Sequence, residues 1–174
     1  MRAFIGILLP DSLKEKIISL QSRIKNLPVD CKMVERENLH ISLSFLGEIS
    51  DEKAKEICLK LDDISKNYKS FEINIDGLRL IPNEKYVRVI ALGIVSSEIE
   101  KLTEDVRRFI GGDVKSPHLT LCRVKKISDK NKTISELVKL SLEESFTVDS
   151  VHLVKSVLER TGPKYSSVHK SNIS

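Results

Sequence analysis

Two short stretches carry side chains that could move protons. "NLHISLSFLGEISDEK" begins at Asn38 and "SPHLTLCRVKKISDKN" at Ser116, and the two align without gaps. His40 falls over His118, Ser42 over Thr120 and Leu43 over Leu121, at an offset of 78 residues. Near neutral pH an imidazole accepts a proton in one state and donates one in the other, so a pair can act as base and acid in a single step. A hydroxyl two residues along can donate to an oxygen on which negative charge develops, as a phosphoryl oxygen does. In an extended chain alternate side chains share a face, so His40, Ser42 and Ser44 point one way while Ile41, Leu43 and Phe45 point the other. One such strand is an ordinary polar face meeting solvent. Two at equivalent places predict that the faces meet each other, because buried polar groups are costly without partners.

Paired histidines also suggest a metal, but neither stretch carries the carboxylate or third imidazole that would complete an open zinc site. The chain has no His-Glu-x-x-His, no Gly-x-Ser-x-Gly elbow, no phosphate-cradling Gly-rich loop and no dinucleotide fingerprint. No metal and no cofactor are expected. Ser44 and Cys122 read as strand filler rather than nucleophiles.

The elements that must position these residues repeat as well. "AFIGILL" reads as a buried strand, and Leu13, Ile17, Leu20 and Ile24 stripe a helix capped by Asp11 or Ser12. In the second half "YVRVIALGIV" is the strand. Ile99, Leu102, Val106 and Phe109 stripe the helix, with Ser96 or Ser97 as cap and Gly111, Gly112 as stop. An Ile-Ser-Asp entry after each histidine strand opens another helix, striped by Ala54, Ile57, Cys58, Leu61 and Ile64, then by Ile134, Leu137 and Val138. Strands opening on Phe71 and Phe146 follow, and a tight turn near Pro82 and Asn83 joins the halves. The order is strand, helix, strand, helix, strand, twice: one domain over 1–174, with the repeat at about 1–85 and 86–174.

At 174 residues the chain is long enough to bury roughly 70% of its unfolded surface. With 40% hydrophobic and 31% charged residues it has the balance of a globular protein rather than a disordered one. "AFIGILLP" is too short to span a bilayer and lacks a basic leader and a small-residue cleavage site, so a cytoplasmic protein without a membrane partner is expected. Cys31, Cys58 and Cys122 form no Cys-x-x-Cys pair, and their odd number predicts reduced thiols. A net charge of +4 suits a phosphate-bearing ligand.

These residues resemble the 2H phosphoesterases, and most closely the RNA 2′,3′-cyclic phosphodiesterases once described as 2′-5′ RNA ligases. The family is defined by two His-x-Ser/Thr motifs in pseudo-symmetric halves. The resemblance runs through "MRAFIGILLP", "ENLHISLSFLGEI", "PHLTLCRV" and "KSVLERTGPKYSSV". Ser42 stands where threonine is more frequent, and keeps the hydroxyl. The resemblance implies an α+β, bilobal, pseudo-two-fold fold: two antiparallel sheets flanked by helices, a central cleft holding His40 and His118, and end strands that can be exchanged between lobes. It implies metal-independent opening of a 2′,3′-cyclic phosphate, on RNA or a small cyclic nucleotide, to a 2′-phosphate, with His118 as base and His40 as acid. Joining of RNA ends by the reverse reaction, and non-catalytic binding of RNA ends, use the same residues. A monomer is expected.

The resemblance adds two substrate-binding candidates. Arg123 matches a position where the relatives also carry arginine, which could contact phosphate or ribose or form a surface ion pair, yet strict alternation points it with Leu119 and Leu121, away from the cleft. A bulge or the strand end would reconcile the two. Tyr165 matches a position at the cleft rim, where a ring could stack on a base or pack under a turn. Phe45 and Leu46 read as core, and His152 and His169 as ordinary strand or surface residues. Arg107, Arg108, Lys125 and Lys126 read as a solvated face that could also guide RNA.

Overall fold

The structure is a computed structural model that describes residues 1–174. Along the chain lie β1 (Arg2–Leu8), α1 (Asp11–Lys25), β2 (Val29–Met33), a 3₁₀ turn (Arg36–Asn38), β3 (His40–Glu48), α2 (Asp51–Ser65) and β4 (Phe71–Asn83). The second half holds β5 (Tyr86–Val95), α3 (Ser97–Phe109), β6 (Asp113–Val114), β7 (His118–Ile127), α4 (Lys130–Leu137), β8 (Ser145–Val148), β9 (Ser150–Glu159) and β10 (Gly162–Asn172). The fold is α+β. No helix is long and apolar enough to cross a membrane.

Every strand pairing is antiparallel, in the order β10-β9-β1-β3-β7-β5-β4-β8, with β6 beside β3 and β2 beside β7. A single residue pair, Ile41 with Leu119, ties β3 to β7. The two expected sheets are therefore two five-stranded halves meeting at one narrow seam. Each half borrows from the other end of the chain. β9 lies against β1 and β4 against β5, while β2 crosses to β7 and β6 to β3. The run from Phe146 that reads as one strand breaks at Asp149, sending β8 to β4 and β9 to β1.

The helix stripes hold where they are local. Leu13, Ile17, Leu20 and Ile24 of α1, Ile57, Leu61 and Ile64 of α2, and Ile99, Leu102 and Val106 of α3 are all buried. Phe109 and Val138, at the ends of their stripes, are instead exposed, and Thr133 takes the inward place in α4. Ser96 caps α3 through the Ile99 amide. Ser50 caps α2, but one residue later in the repeat Asp129, not Ser128, caps α4. α1 starts at Asp11 without a side-chain cap. The turn between β4 and β5 lies at Glu84 and Lys85, and Asn83 Oδ1 accepts from the amides of Lys85 and Tyr86.

Two equivalent bulges decide what faces the cleft. In β3, Ile5 pairs with Ser44 and Gly6 with Ser42, leaving Leu43 as the extra residue. In β7, Ile90 pairs with Cys122 and Ala91 with Thr120, leaving Leu121. Leu43 and Leu121 are 78 positions apart, the offset of the histidines. At each bulge two consecutive residues are buried, Leu43 with Ser44 and Leu121 with Cys122, so the alternation changes phase beyond it. Gln21, the sole glutamine of the chain, holds the second bulge from α1: its Nε2 donates to the carbonyls of Leu121 (2.9 Å) and Val34 (3.0 Å).

Candidate active site

A cleft of about 520 Å³ opens along the β3–β7 seam, and His40, Ser42, His118, Thr120, Arg123 and Tyr165 all line it. That volume accommodates a nucleotide. The histidines open their strands, so each ring stands where backbone from the preceding turn reaches it. His40 Nδ1 lies 2.6 Å from the Asn38 carbonyl and His118 Nδ1 2.9 Å from the Ser116 carbonyl. A carbonyl only accepts, so both Nδ1 atoms carry hydrogen and both Nε2 atoms are left to exchange protons. The two rings then differ. His40 Nε2 is 2.9 Å from Ser42 Oγ, whereas His118 Nε2 and the Thr120 hydroxyl have no protein partner.

The wall around His40 is aromatic. Phe4 lies tilted against the imidazole at 4.6 Å between centroids, and Tyr165 meets it edge-on at 5.2 Å. Phe4 and Tyr165 also meet edge-on, at 5.0 Å. Burial lowers the His40 pKa below that of a free imidazole, and the nearby charges of His118 and Arg123 lower it further against the opposing bond to Asn38. Burial likewise raises the Tyr165 hydroxyl. Tyr165 thus sits against a histidine ring, on β10, an element the periodicity of the chain did not announce.

The bulges settle the orientation of Arg123 and correct that of Phe45. Beyond Leu121 the phase shift turns Arg123 to the side of His118 and Thr120, into the cleft lining. Beyond Leu43 the same shift turns Phe45 to the side of His40. Phe45 is not core: it is 39% exposed, and the Arg2 guanidinium lies over its ring at 5.0 Å. Leu46 does pack against the core. Phe45 and Arg123 are themselves 78 apart, so the conflict that alternation creates at Arg123 was a signal for both.

Other polar residues have structural partners. The Ser44 hydroxyl is buried and donates to the Gly111 carbonyl at 2.6 Å. His152 is 8% exposed and bonded on both nitrogens, to Ser150 (3.2 Å) and Ser167 (2.7 Å), while His169 meets Asp62 at 2.8 Å. Neither is a plain surface residue. Ser150 lies two residues before His152 on β9, but Ser167 comes from β10 and Asp62 from α2, which sequence spacing could not bring to them. Cys31, Cys58 and Cys122 are free thiols. Arg2, Phe4, Lys32, Asn38 and Lys115 also line the cleft, although the sequence singled out none of them as a site residue.

A curled antiparallel sheet with a His-x-Ser/Thr strand on each side of its central seam is the arrangement of the 2H phosphoesterases. The same fold appears in a Thermus thermophilus protein with a TM-score of 0.82 at 23% identity, over 99% of this chain and 98% of that one. It appears also in E. coli LigT crystallised with ATP, with a TM-score of 0.78 at 26% identity over the same shares. The model of LigT-like phosphoesterases matches residues 7–91. An RNA 2′,3′-cyclic phosphodiesterase of Methanocaldococcus jannaschii is 34% identical over 97% of this chain and 98% of its own length. One of Methanothermobacter thermautotrophicus is 32% identical over 97% and 96%. The chain belongs to the LigT-like 2H phosphoesterase family, among the homologues named RNA 2′,3′-cyclic phosphodiesterases.

Proposed function

We propose that this protein hydrolyses the 2′,3′-cyclic phosphate at an RNA end, or on a nucleoside, to a 2′-phosphomonoester, with His40 and His118 as its acid and base. The observation that carries the reading is the pair of imidazoles on one cleft, each held at Nδ1 by the carbonyl two residues earlier and each beside a hydroxyl. Water attacks phosphorus in line with the 3′ oxygen. One imidazole takes the proton of the attacking water, and the other gives a proton to the 3′ oxygen as its bond to phosphorus breaks. Ser42, Thr120 and Arg123 stabilise charge on the non-bridging oxygens. Tyr165 bears on the nucleoside and holds the His40 ring. The matching bulges and exchanged strands support reading residues 1–174 as one domain of two pseudo-symmetric lobes.

Resemblance assigns His118 as base and His40 as acid. One observation favours the exchange: burial among Phe4 and Tyr165 lowers the His40 pKa and so favours the neutral ring, the form a base requires. The two assignments separate on a substrate whose leaving group needs no protonation. It restores turnover to the variant lacking the acid and leaves the variant lacking the base slow. The pH profile of kcat/KM is expected to be a bell, with an acidic limb below the ordinary imidazole range if His40 is the base.

The test of the whole reading is incubation with 2′,3′-cyclic nucleotides and a cyclic-phosphate-ended RNA, with the position of the product phosphate assigned. Release of 2′-phosphate supports it, and binding without turnover overturns it. Activity is expected to be unchanged in EDTA, because the cleft gathers no group of three His, Cys, Asp or Glu donors and the two imidazoles suffice for proton transfer. Loss of turnover in chelator, restored by a divalent ion, would reject that expectation.

A further inference from the structure

The two sides of the cleft are related by the repeat but not by charge. Arg123 on β7 stands directly across the strand pair from Lys32 on β2. The equivalent pair on β3 and β6 is Phe45 with Asp113. One side thus presents two cations without carboxylate partners, where the other presents a ring lying under the Arg2 guanidinium and a carboxylate paired with Lys115 at 3.4 Å. Lys32 has no carboxylate partner. Its ammonium rests 3.2 Å from the Thr161 carbonyl, at the turn joining β9 to β10. That contact links β2 of one half to the β9–β10 turn of the other and leaves two of the three ammonium hydrogens for a ligand. Gly162 keeps the place open: its φ is +130°, and a Cβ there would lie 3.0 Å from Lys32 Nζ. The turn is anchored a second time by Asn38, whose Nδ2 donates to the Pro163 carbonyl at 2.7 Å.

A cyclic phosphate seated between the histidines occupies one anion's worth of this cationic side. In an RNA the next anion is the phosphodiester on the 5′ side of the same nucleotide. We propose that Lys32 and the β9–β10 turn form a subsite for that 5′ phosphate, so that the RNA body leaves the cleft past β2 and the terminal base lies toward Phe45. The inference rests on the cyclic-phosphate reading above and extends it: it sets the polarity of the strand and makes an RNA end a better substrate than a nucleoside. A lysine that pairs with an RNA phosphate releases a counterion condensed on that RNA, which makes the gain dependent on salt.

Three substrates separate charge from length: a nucleoside 2′,3′-cyclic phosphate, the same compound with a 5′-phosphate, and a dinucleotide ending in the cyclic phosphate. For the native protein kcat/KM is expected to rise roughly tenfold from the first to the second and third, a factor ordinary for one charge-assisted phosphate contact. Lys32→Ala should reduce that ratio to near unity and Lys32→Arg should retain it. A fluorescent oligonucleotide ending in a 3′-phosphate supplies a readout that needs no turnover. Its binding should lose about one counterion from the salt dependence in Lys32→Ala. A rise seen with the dinucleotide but not with the 5′-phosphate would assign the preference to the second nucleoside and reject the subsite. A ratio and a salt slope unchanged in Lys32→Ala would also reject it. Absence of turnover on every substrate would instead count against the hydrolase reading, with the binding slope still deciding the role of Lys32.

Discussion

His40→Ala and His118→Ala are each expected to slow turnover of a 2′,3′-cyclic phosphate by roughly 10² to 10⁴ fold, with circular dichroism and melting close to those of the native protein. The reason is in the way the rings are held. Each Nδ1 bond goes to a main-chain carbonyl of the preceding turn, so removing the ring deletes a proton carrier and leaves the strand register to its backbone bonds. The hydroxyls should matter less. Ser42→Ala and Thr120→Ala are expected to cost on the order of 2 to 4 kcal/mol of transition-state stabilisation at most, because each removes one donor to a phosphoryl oxygen. Ser42 has a second duty, since its hydroxyl lies 2.9 Å from His40 Nε2, whereas the Thr120 hydroxyl has no protein partner. Ser42→Ala should therefore also shift the pH limb that belongs to His40, and Thr120→Ala should not. Wild-type rates in both histidine variants would remove these residues from the chemistry.

Leu119→Ala is expected to lower the stability of the fold by about 2 to 5 kcal/mol, read as a fall in the urea midpoint at constant slope. Leu119 is fully buried and lies between His118 and Thr120, and its pairing with Ile41, between His40 and Ser42, is the only residue pair joining β3 to β7. A cavity there does more than destabilise. It loosens the seam that holds one imidazole at its distance from the other, and misplacement of reacting groups by even a small amount is costly in rate. Leu61→Ala offers the comparison: that side chain is equally buried, but under α2 and away from the cleft. The two variants are expected to lose similar stability, while at 25 °C kcat falls further in Leu119→Ala. Equal kcat in the two, both still folded, would mean that the seam does not set the spacing of the histidines.

Some of this molecule is determined by local sequence. The offset of 78 residues, the period-two faces of the histidine strands and the helix stripes of α1, α2 and α3 are each written in neighbouring residues. Short-range periodicity suffices to say which side chains share a face, and repetition suffices to say that two faces belong together. Their chemistry follows from residue type, which is why His40, Ser42, His118 and Thr120 stood out without coordinates.

What the sequence could not contain is the phase of each strand beyond its first few residues. Leu43 and Leu121 read as ordinary inward positions, and only pairing with β1 and β5 makes each the extra residue of a bulge. That pairing is non-local, and it alone turns Phe45 and Arg123 toward the cleft. The same holds for strands that cross between halves, for β10 with Tyr165, and for His152, whose second hydroxyl partner lies 15 residues away on an adjacent strand. Alternation is a property of one chain segment; register, and with it the side a residue faces after a bulge, is a property of two segments and exists only once they have met.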